Sequence, residues 1–184
     1  MPDFVQWYPL GQGDILDQTR LDKVFSAYRP VAVMHFAARI GVGESVRMPV
    51  TYYEANVGGA LAVIAATQRA GIRHLLYSST CATCGQPVRL LMGEDRPQQP
   101  INPYGRSKLM VEQALFDLDR HAAFHSVILR YCNAAGADPL GHIGERHHPE
   151  TPAPLLAIGA ALGRRPPFEI FGDDYPTRGP TSLP

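Results

Sequence analysis

The sequence lacks any run of apolar residues close to the roughly 20 that a helix needs to cross a bilayer. No signal peptide opens the chain either. Hydrophobic residues make up 45% of the 184 residues and charged residues 18%, which are ordinary values for a soluble globular protein. We therefore expect a soluble, cytoplasmic protein with no membrane partner.

An excess of charge of either sign is also missing. Lys and Arg together number 17, as do Asp and Glu, so the formal net charge at pH 7 is zero. Nucleic acids and anionic membranes attract proteins through clustered positive charge. We therefore expect no nucleic acid among the partners of this protein.

Cysteine is scarce, and the three residues Cys81, Cys84 and Cys132 cannot form a disulfide framework. Cys81 and Cys84 form a single C-x-x-C. A redox pair of this spacing would have to open a thioredoxin-type helix, and a zinc site would need a second pair of ligands. We favour buried small residues over a functional dithiol, and we predict no metal site.

What the chain does contain is an alternation of helical periodicity with short apolar runs. This order is typical of an α/β fold with a parallel sheet. The run at 31–38 has the composition of a fully buried strand. The pattern predicts helices at 17–28, 49–70, 104–121 and 153–163, and strands at 31–38, 74–79, 126–132 and 168–172, with a further candidate strand at 4–7.

We expect that neither end of the chain coincides with a natural domain boundary. A doubly wound sheet normally begins with a strand that feeds a Gly-rich turn and a helix, and no such unit surrounds Gly11 and Gly13. Repeated prolines beyond residue 165 leave little regular structure there. We expect a partial doubly wound, Rossmann-like parallel sheet that lacks its first βα unit.

Thr80, Tyr104 and Lys108 form the set of residues best suited to catalysis. Tyr104 and Lys108, at i and i+4, share one face of a predicted helix. The ammonium would favour the phenolate and lower the pKa of Tyr104 from about 10, which makes a general base for a hydroxyl group. Thr80 follows a strand's carboxyl end, where open α/β sheets bind ligands. The alternative is a surface pair, but eight tyrosines and two lysines predict only about 0.09 such pairs by chance.

Four longer segments of the chain form a recognisable series. They are HFAARIGVGESVRMPVTYYEANVGG at 35–59, YSSTCATCG at 77–85, NPYGRSKLMVEQAL at 102–115 and LRYCNAAGAD at 129–138. In the same order, they resemble signature segments of the UDP-glucose 4-epimerases, which are extended short-chain dehydrogenases/reductases. Two shorter segments, GDI at 13–15 and IFGDDYPT at 170–177, fit that order, so the resemblance covers nearly the whole chain.

The resemblance implies an NAD-dependent isomerase that interconverts UDP-glucose and UDP-galactose through a 4-keto intermediate. It implies that Tyr104 takes the proton of the 4-hydroxyl, that Lys108 tunes Tyr104 and binds the nicotinamide ribose, and that Thr80 holds the substrate. It also implies a homodimer through the helices at 49–70 and 104–121. A truncated NAD(P)-binding domain at 1–150 would be followed by a remnant of the substrate-binding portion at 151–184.

Six further positions match residues with roles in the family. Asp14, Ile15, Phe36, Ala37 and Asn56 match contacts to NAD, and Asn133 matches a contact to the UDP-sugar. Each has a structural alternative: Phe36 could be plain core, Asn56 could hold local backbone, and Asp14 could cap the helix at 17–28.

The sequence also departs from the family pattern. The Gly-rich segment that anchors the pyrophosphate is absent, and RGPTSLP replaces the expected segment after residue 177. Ile40, Cys84 and Cys132 stand at positions where the family commonly has lysine, tyrosine and phenylalanine. We therefore expect this chain alone to bind NAD poorly and to show little turnover. The alternative function is an inactive or split-gene fragment that acts only as a binding or complementing chain, and the identity of the sugar stays open.

Overall fold

The computed structural model describes residues 10–86, 93–132, 134–142, 144 and 153–169. The chain divides into two compact units. One comprises Pro9–Cys132 with Pro184, and the other combines Met1–Tyr8 with Asn133–Leu183. The domain boundary expected near residue 150 stays a prediction. Residues 4–7 and 170–177 lie outside the described ranges, as does Asn133.

The first unit is an α/β structure in which helices and strands alternate, as the sequence pattern predicts. A π-helical segment, Tyr53–Gly58, joins two of its helices, and a 3₁₀ turn, Cys81–Cys84, follows its second strand. Its elements are α1 (Gln18–Tyr28), β1 (Val33–His35), α2 (Val42–Arg47), α3 (Pro49–Tyr52), α4 (Gly59–Arg69), β2 (His74–Thr80), α5 (Pro103–His121) and β3 (His125–Tyr131).

The three strands form one parallel sheet in the order β1-β2-β3. Val33 is level with Leu75 in the β1–β2 pair, and Thr80 is level with Tyr131 in the β2–β3 pair. All three strands therefore end at the same edge of the sheet. This arrangement confirms the predicted α/β class with a parallel, Rossmann-like sheet.

Local signals in the sequence explain where the helices begin. The Asp17 carboxylate accepts a hydrogen bond from the Arg20 amide at 2.9 Å and caps α1, so the cap is Asp17 and not Asp14. The Asn102 side chain caps α5 in the same way, accepting from the Gly105 amide at 2.8 Å. Pro49 and Pro103 occupy the first turns of their helices, where a missing N–H costs nothing.

The core of the first unit lies on one face of the sheet, where α4 and α5 pack. Its buried residues are Ala60, Ile64, Leu75, Tyr77, Val111, Leu115 and Phe124. The other face carries Met34 and Val127, which are 64% and 57% exposed. The prediction of a fully buried strand at 31–38 was therefore wrong: only Val33–His35 form a strand, and burial alternates along it because one face is covered.

In the second unit the structure describes one helix, α6 (Ala153–Ala161), close to the predicted span of 153–163. The strand expected at 168–172 is not formed at residues 168 and 169, and its other residues lie outside the described ranges. No helix in the described part of the chain combines the length and the apolar character needed to span a bilayer.

Candidate active site

The predicted site residues meet at the carboxyl edge of the sheet. Thr80 is the last residue of β2, and Tyr104 stands in the first turn of α5 with Lys108 one turn further along. All three side chains are at least nine-tenths buried. The described structure therefore brings together Thr80, Tyr104 and Lys108 as the sequence predicted, at the edge where open parallel sheets bind their ligands.

Close packing between two backbones fixes the position of Tyr104. The first turn of α5 lies against the 3₁₀ turn, so a Cβ at Gly105 would come within 2.5 Å of the Ala82 carbonyl oxygen. Thr80 starts the 3₁₀ turn: its Oγ1 accepts from the Ala82 amide at 3.2 Å. Only glycine fits at position 105, and this brings the Tyr104 phenol next to Thr80.

The protonation of Tyr104 is set by two opposing effects. Burial raises the pKa of the phenol above its ordinary value of 10, and the Cys81 thiol adds to the increase. The Thr80 hydroxyl lowers the pKa because it can donate a hydrogen bond to the phenolate. Burial is the larger effect, so the neutral phenol is favoured in the protein as it stands.

Lys108 has different contacts from those that the sequence suggested. Its Nζ donates to the Ser78 carbonyl oxygen at 2.8 Å and lies 5.0 Å from the centroid of the Tyr77 ring. Burial lowers the pKa of the ammonium to about 8. In this arrangement the ammonium is held at the Ser78 carbonyl and over the Tyr77 ring. The expectation that Lys108 lowers the pKa of Tyr104 stays a prediction.

His35 extends the site to the end of β1, and the sequence reasoning missed it. Its ring stacks on Tyr77 with centroids 5.8 Å apart and an interplanar angle of 22°. Burial, together with the nearby Lys108 charge, lowers the pKa of His35 to about 4, so the imidazole is neutral near pH 7. A polar residue at the end of an otherwise apolar run was the available signal.

Glu112 is the second residue that was missed, and it anchors α5 to the sheet. It is fully buried and stands one turn beyond Lys108 on the same helix face. Its carboxylate accepts from Arg130 Nη2 at 2.7 Å, from Gln98 Nε2 at 2.8 Å and from the Ser79 hydroxyl. The spacing Y-x-x-x-K-x-x-x-E could have revealed it.

The remaining predicted residues differ in how they are placed. Phe36 and Ala37 follow β1 at the carboxyl edge and are exposed, Phe36 by 53%, so the alternative that Phe36 is plain core was wrong.

Asn56 is buried, and its side-chain amide bonds to two other residues. The amide oxygen accepts from the Arg39 N–H at 2.8 Å, and the amide nitrogen donates to the Arg39 carbonyl at 3.0 Å and to Ser107 Oγ at 3.1 Å. These bonds hold local backbone, and the predicted contact of Asn56 with NAD stays a prediction.

Asp14 and Ile15 lie before α1. The exposed Asp14 carboxylate accepts from the Leu16 amide at 2.9 Å, and the Ile15 side chain fills the space where a Cβ on Gly59 would stand. Their predicted contacts with a cofactor stay predictions. Among the described residues, no group of three or more His, Cys, Asp and Glu side chains is arranged to hold a metal ion.

A parallel α/β sheet of this kind is the fold of the extended short-chain dehydrogenases/reductases. The model of the NAD dependent epimerase/dehydratase family matches residues 5–179. The chain belongs to that family.

Named relatives agree with this assignment. The chain is 55% identical to the UDP-glucose 4-epimerase of Rhizobium leguminosarum bv. trifolii over 98% of its own length and 55% of that protein's. The structure matches the NAD complex of the Brucella ovis UDP-glucose 4-epimerase with a TM-score of 0.90 at 47% identity, over 95% of this chain and 54% of that chain. It also matches the complex of the Bifidobacterium longum UDP-glucose 4-epimerase with NAD+ and UDP. That match has a TM-score of 0.86 at 32% identity and covers 97% of this chain and 55% of that chain. The chain spans about half the length of the relatives it matches.

Proposed function

We propose that this site serves an NAD-dependent isomerase that interconverts UDP-glucose and UDP-galactose at C4 of the sugar. The observation that carries the proposal is the buried pair of Thr80 and Tyr104 at the carboxyl edge of the sheet. Relatives named UDP-glucose 4-epimerase, identical at up to 55% of aligned positions, support the choice of substrate.

Tyr104 and Thr80 handle the proton of the sugar 4-hydroxyl. The Thr80 hydroxyl donates to the sugar oxygen and holds it in line with the phenol oxygen of Tyr104. Tyr104 as phenolate takes the proton, and as phenol it returns the proton when the alcohol forms again. Since burial raises the pKa of Tyr104, the phenolate needs positive charge nearby, and Lys108 is the buried cation on the same helix face.

Residues around the site fit a dinucleotide cofactor. Phe36 offers an exposed ring and Ala37 a small side chain directly beside the end of β1. Lys108 uses one N–H on Ser78 within the described structure, which leaves donors for a ribose diol. NAD, when bound, supplies the acceptor for the hydride of C4. Asp14, Ile15 and Asn56 on the cofactor side, and Asn133 on the sugar side, complete the proposed set.

The test is conversion of UDP-galactose to UDP-glucose with added NAD, measured for the wild type, Tyr104→Phe and Tyr28→Phe. Tyr28 is 55% exposed and serves as the matched control. Tyr104→Phe should lower kcat by roughly 10²–10⁴-fold while Tyr28→Phe leaves it unchanged. Turnover that survives the loss of the Tyr104 hydroxyl would contradict the proposal.

The second candidate is a chain that acts only by binding or complementing another chain. The observation in its favour is that the chain spans about half of its relatives' length. In that case the purified chain shows no turnover by itself, although it folds and retains the buried site. The same assay therefore separates the two candidates.

We further propose a homodimer through the helices at 49–70 and 104–121, in a cytoplasmic protein. Of the apolar residues on these two helices, Ile64 and Leu115 belong to the chain's own core. Leu61, Met110 and Phe116, on α4 and α5, are 43–49% exposed and are better candidates for the interface. Sedimentation that shows only monomer at tens of micromolar would contradict the dimer.

A further inference from the structure

Two cysteines that directly follow neighbouring strands lie at the carboxyl edge of the sheet. Thr80 and Tyr131 are level with each other in the parallel β2–β3 pair, and each is followed directly by a cysteine, Cys81 and Cys132. Neighbouring strands are about 4.8 Å apart, and a disulfide requires Cα atoms about 4.4–6.8 Å apart. The register therefore brings the two residues within the range of a disulfide.

The surroundings of the two thiols differ in a way that suits oxidation. Both residues line one cleft of about 590 Å³ beside β3, together with Glu94 and Arg130. Cys132 is exposed, whereas Cys81 is buried at 5% exposure. Burial is the main cause that raises the pKa of Cys81 to about 12, and the neighbouring Cys132 thiol adds to the increase. Cys132 is therefore the thiol that meets an oxidant in solution.

The third cysteine provides an internal comparison. Cys84 ends the 3₁₀ turn, is buried at 6% exposure, and lies 4.0 Å from Thr83 Oγ1. Cys84 lines the same cleft, but it is buried whereas Cys132 is exposed. The Cys81–Cys84 pairing of the C-x-x-C spacing is therefore the one that an oxidant in solution reaches less readily.

We propose that Cys81 and Cys132 form a reversible dithiol–disulfide pair that reacts with peroxides. The Cys132 sulfur attacks the O–O bond, so that one oxygen becomes the hydroxyl of a sulfenic acid and the other leaves as water. The Cys81 sulfur gives up its proton and displaces that hydroxyl as a second water while the S–S bond forms. Two thiols and one hydrogen peroxide thus yield one disulfide and two waters, with two electrons passing to the peroxide.

Peptide mapping without reduction tests this pairing. Trypsin releases Cys81 and Cys84 together on residues 74–89 and Cys132 on residues 131–146. The reduced wild type is treated with a small excess of hydrogen peroxide, alkylated, digested and analysed by mass spectrometry. We expect the two peptides to be linked, with Cys84 carrying the alkyl group, and the alkylatable thiols to fall from three to one. Dithiothreitol should restore all three.

Variants make the outcome decisive. Cys84→Ser should form the same link at the same rate, whereas in Cys81→Ser the Cys132 side chain should proceed to the sulfinic acid. A link from Cys84 to either cysteine, a Cys132–Cys132 link between two chains, or sulfinic acid at Cys132 in the wild type without any link would each overturn the proposal. The fragment spectrum of the wild-type peptide decides the question even if a variant fails to fold.

Discussion

The two edges of the sheet differ sharply in how they hold polar groups. At the carboxyl edge, Lys108 and Glu112 are almost completely buried and bonded to the sheet. At the amino edge, His74 and His125 stack with centroids 5.6 Å apart but remain exposed to solvent. Among the described residues, the buried charges of Lys108 and Glu112 therefore lie at the carboxyl edge of the sheet, which is also the edge where Tyr104 lies.

Burying a charged side chain costs free energy, so the places where charges are buried indicate which part of the protein needs them. A buried ion costs several kcal/mol unless a partner and hydrogen bonds compensate for the lost water. Glu112 has that compensation from Arg130, Gln98 and Ser79. The Arg69–Asp22 ion pair, near the amino edge, is nearly half exposed. Water still solvates both side chains, so this pair needs no additional hydrogen bonds to compensate for burial.

The largest effect on stability is expected from Glu112→Ala. The change leaves the Arg130 guanidinium, 22% exposed, without its carboxylate, and it removes the acceptor of Ser79. Losing one partner of a buried pair costs about 3–5 kcal/mol of the free energy of unfolding, which urea denaturation measures. Glu112→Gln keeps an acceptor and should lose less. A loss below about 1 kcal/mol for Glu112→Ala would show that the network does not anchor α5.

His35 should make stability depend on pH. Its pKa is about 4 in the folded protein and 6.5 ordinarily, so below pH 6.5 the unfolded chain binds more protons than the folded one. The free energy of unfolding should fall by roughly 2–3 kcal/mol between pH 6.5 and 4.5 because of this residue. The test compares wild type with His35→Gln, which should lose that part of the slope, and with exposed His74→Gln, which should keep it.

Asn56→Ala should cost about 1–3 kcal/mol, because the substitution leaves the Arg39 N–H and carbonyl without their partner in a part-buried place. Asn56→Asp keeps the acceptor for the N–H but lacks a donor for the carbonyl, so an intermediate loss is expected. Thermal unfolding measures both. If Asn56→Ala were as stable as the wild type, a purely structural role for this residue would be wrong.

The smallest change in the free energy of unfolding is expected from a substitution near the amino edge. Asp22→Asn removes the exposed ion pair with Arg69 and should change the free energy of unfolding by less than about 1 kcal/mol, decreasing further as salt is added. Urea denaturation at low and high salt checks this. A loss equal to that of Glu112→Ala would remove the contrast between the two edges.

The sequence predicted the elements well where local chemistry determines them. Asp17, Asn102 and the prolines at 49 and 103 set helix starts within one residue of the predicted positions. It failed for the strand at 31–38, because whether a face is covered depends on tertiary packing and not on the run itself. The π-helical segment Tyr53–Gly58 interrupts a stretch whose periodicity predicts one continuous helix at 49–70.

The sequence predicted which residues form the candidate site, but it did not predict their charged contacts. The i, i+4 spacing correctly placed Tyr104 and Lys108 on one helix face. It could not show that the Lys108 ammonium would bind the Ser78 carbonyl, because that contact joins residues thirty positions apart. Likewise, the bonds from Glu112 to Ser79 and Arg130 depend on the strand order, which the sequence pattern alone did not specify.

Hydrogen exchange, measured at NAD and UDP-glucose concentrations high enough to offset the weak binding expected of this chain alone, tests the central claim most directly. That claim is that the carboxyl edge is the functional edge. We predict slower amide exchange in peptides that cover residues 77–84 and 102–108. Exchange at 70–75 and 122–127, at the amino edge, should be unchanged. Protection confined to the amino edge, or protection at neither edge, would contradict the account.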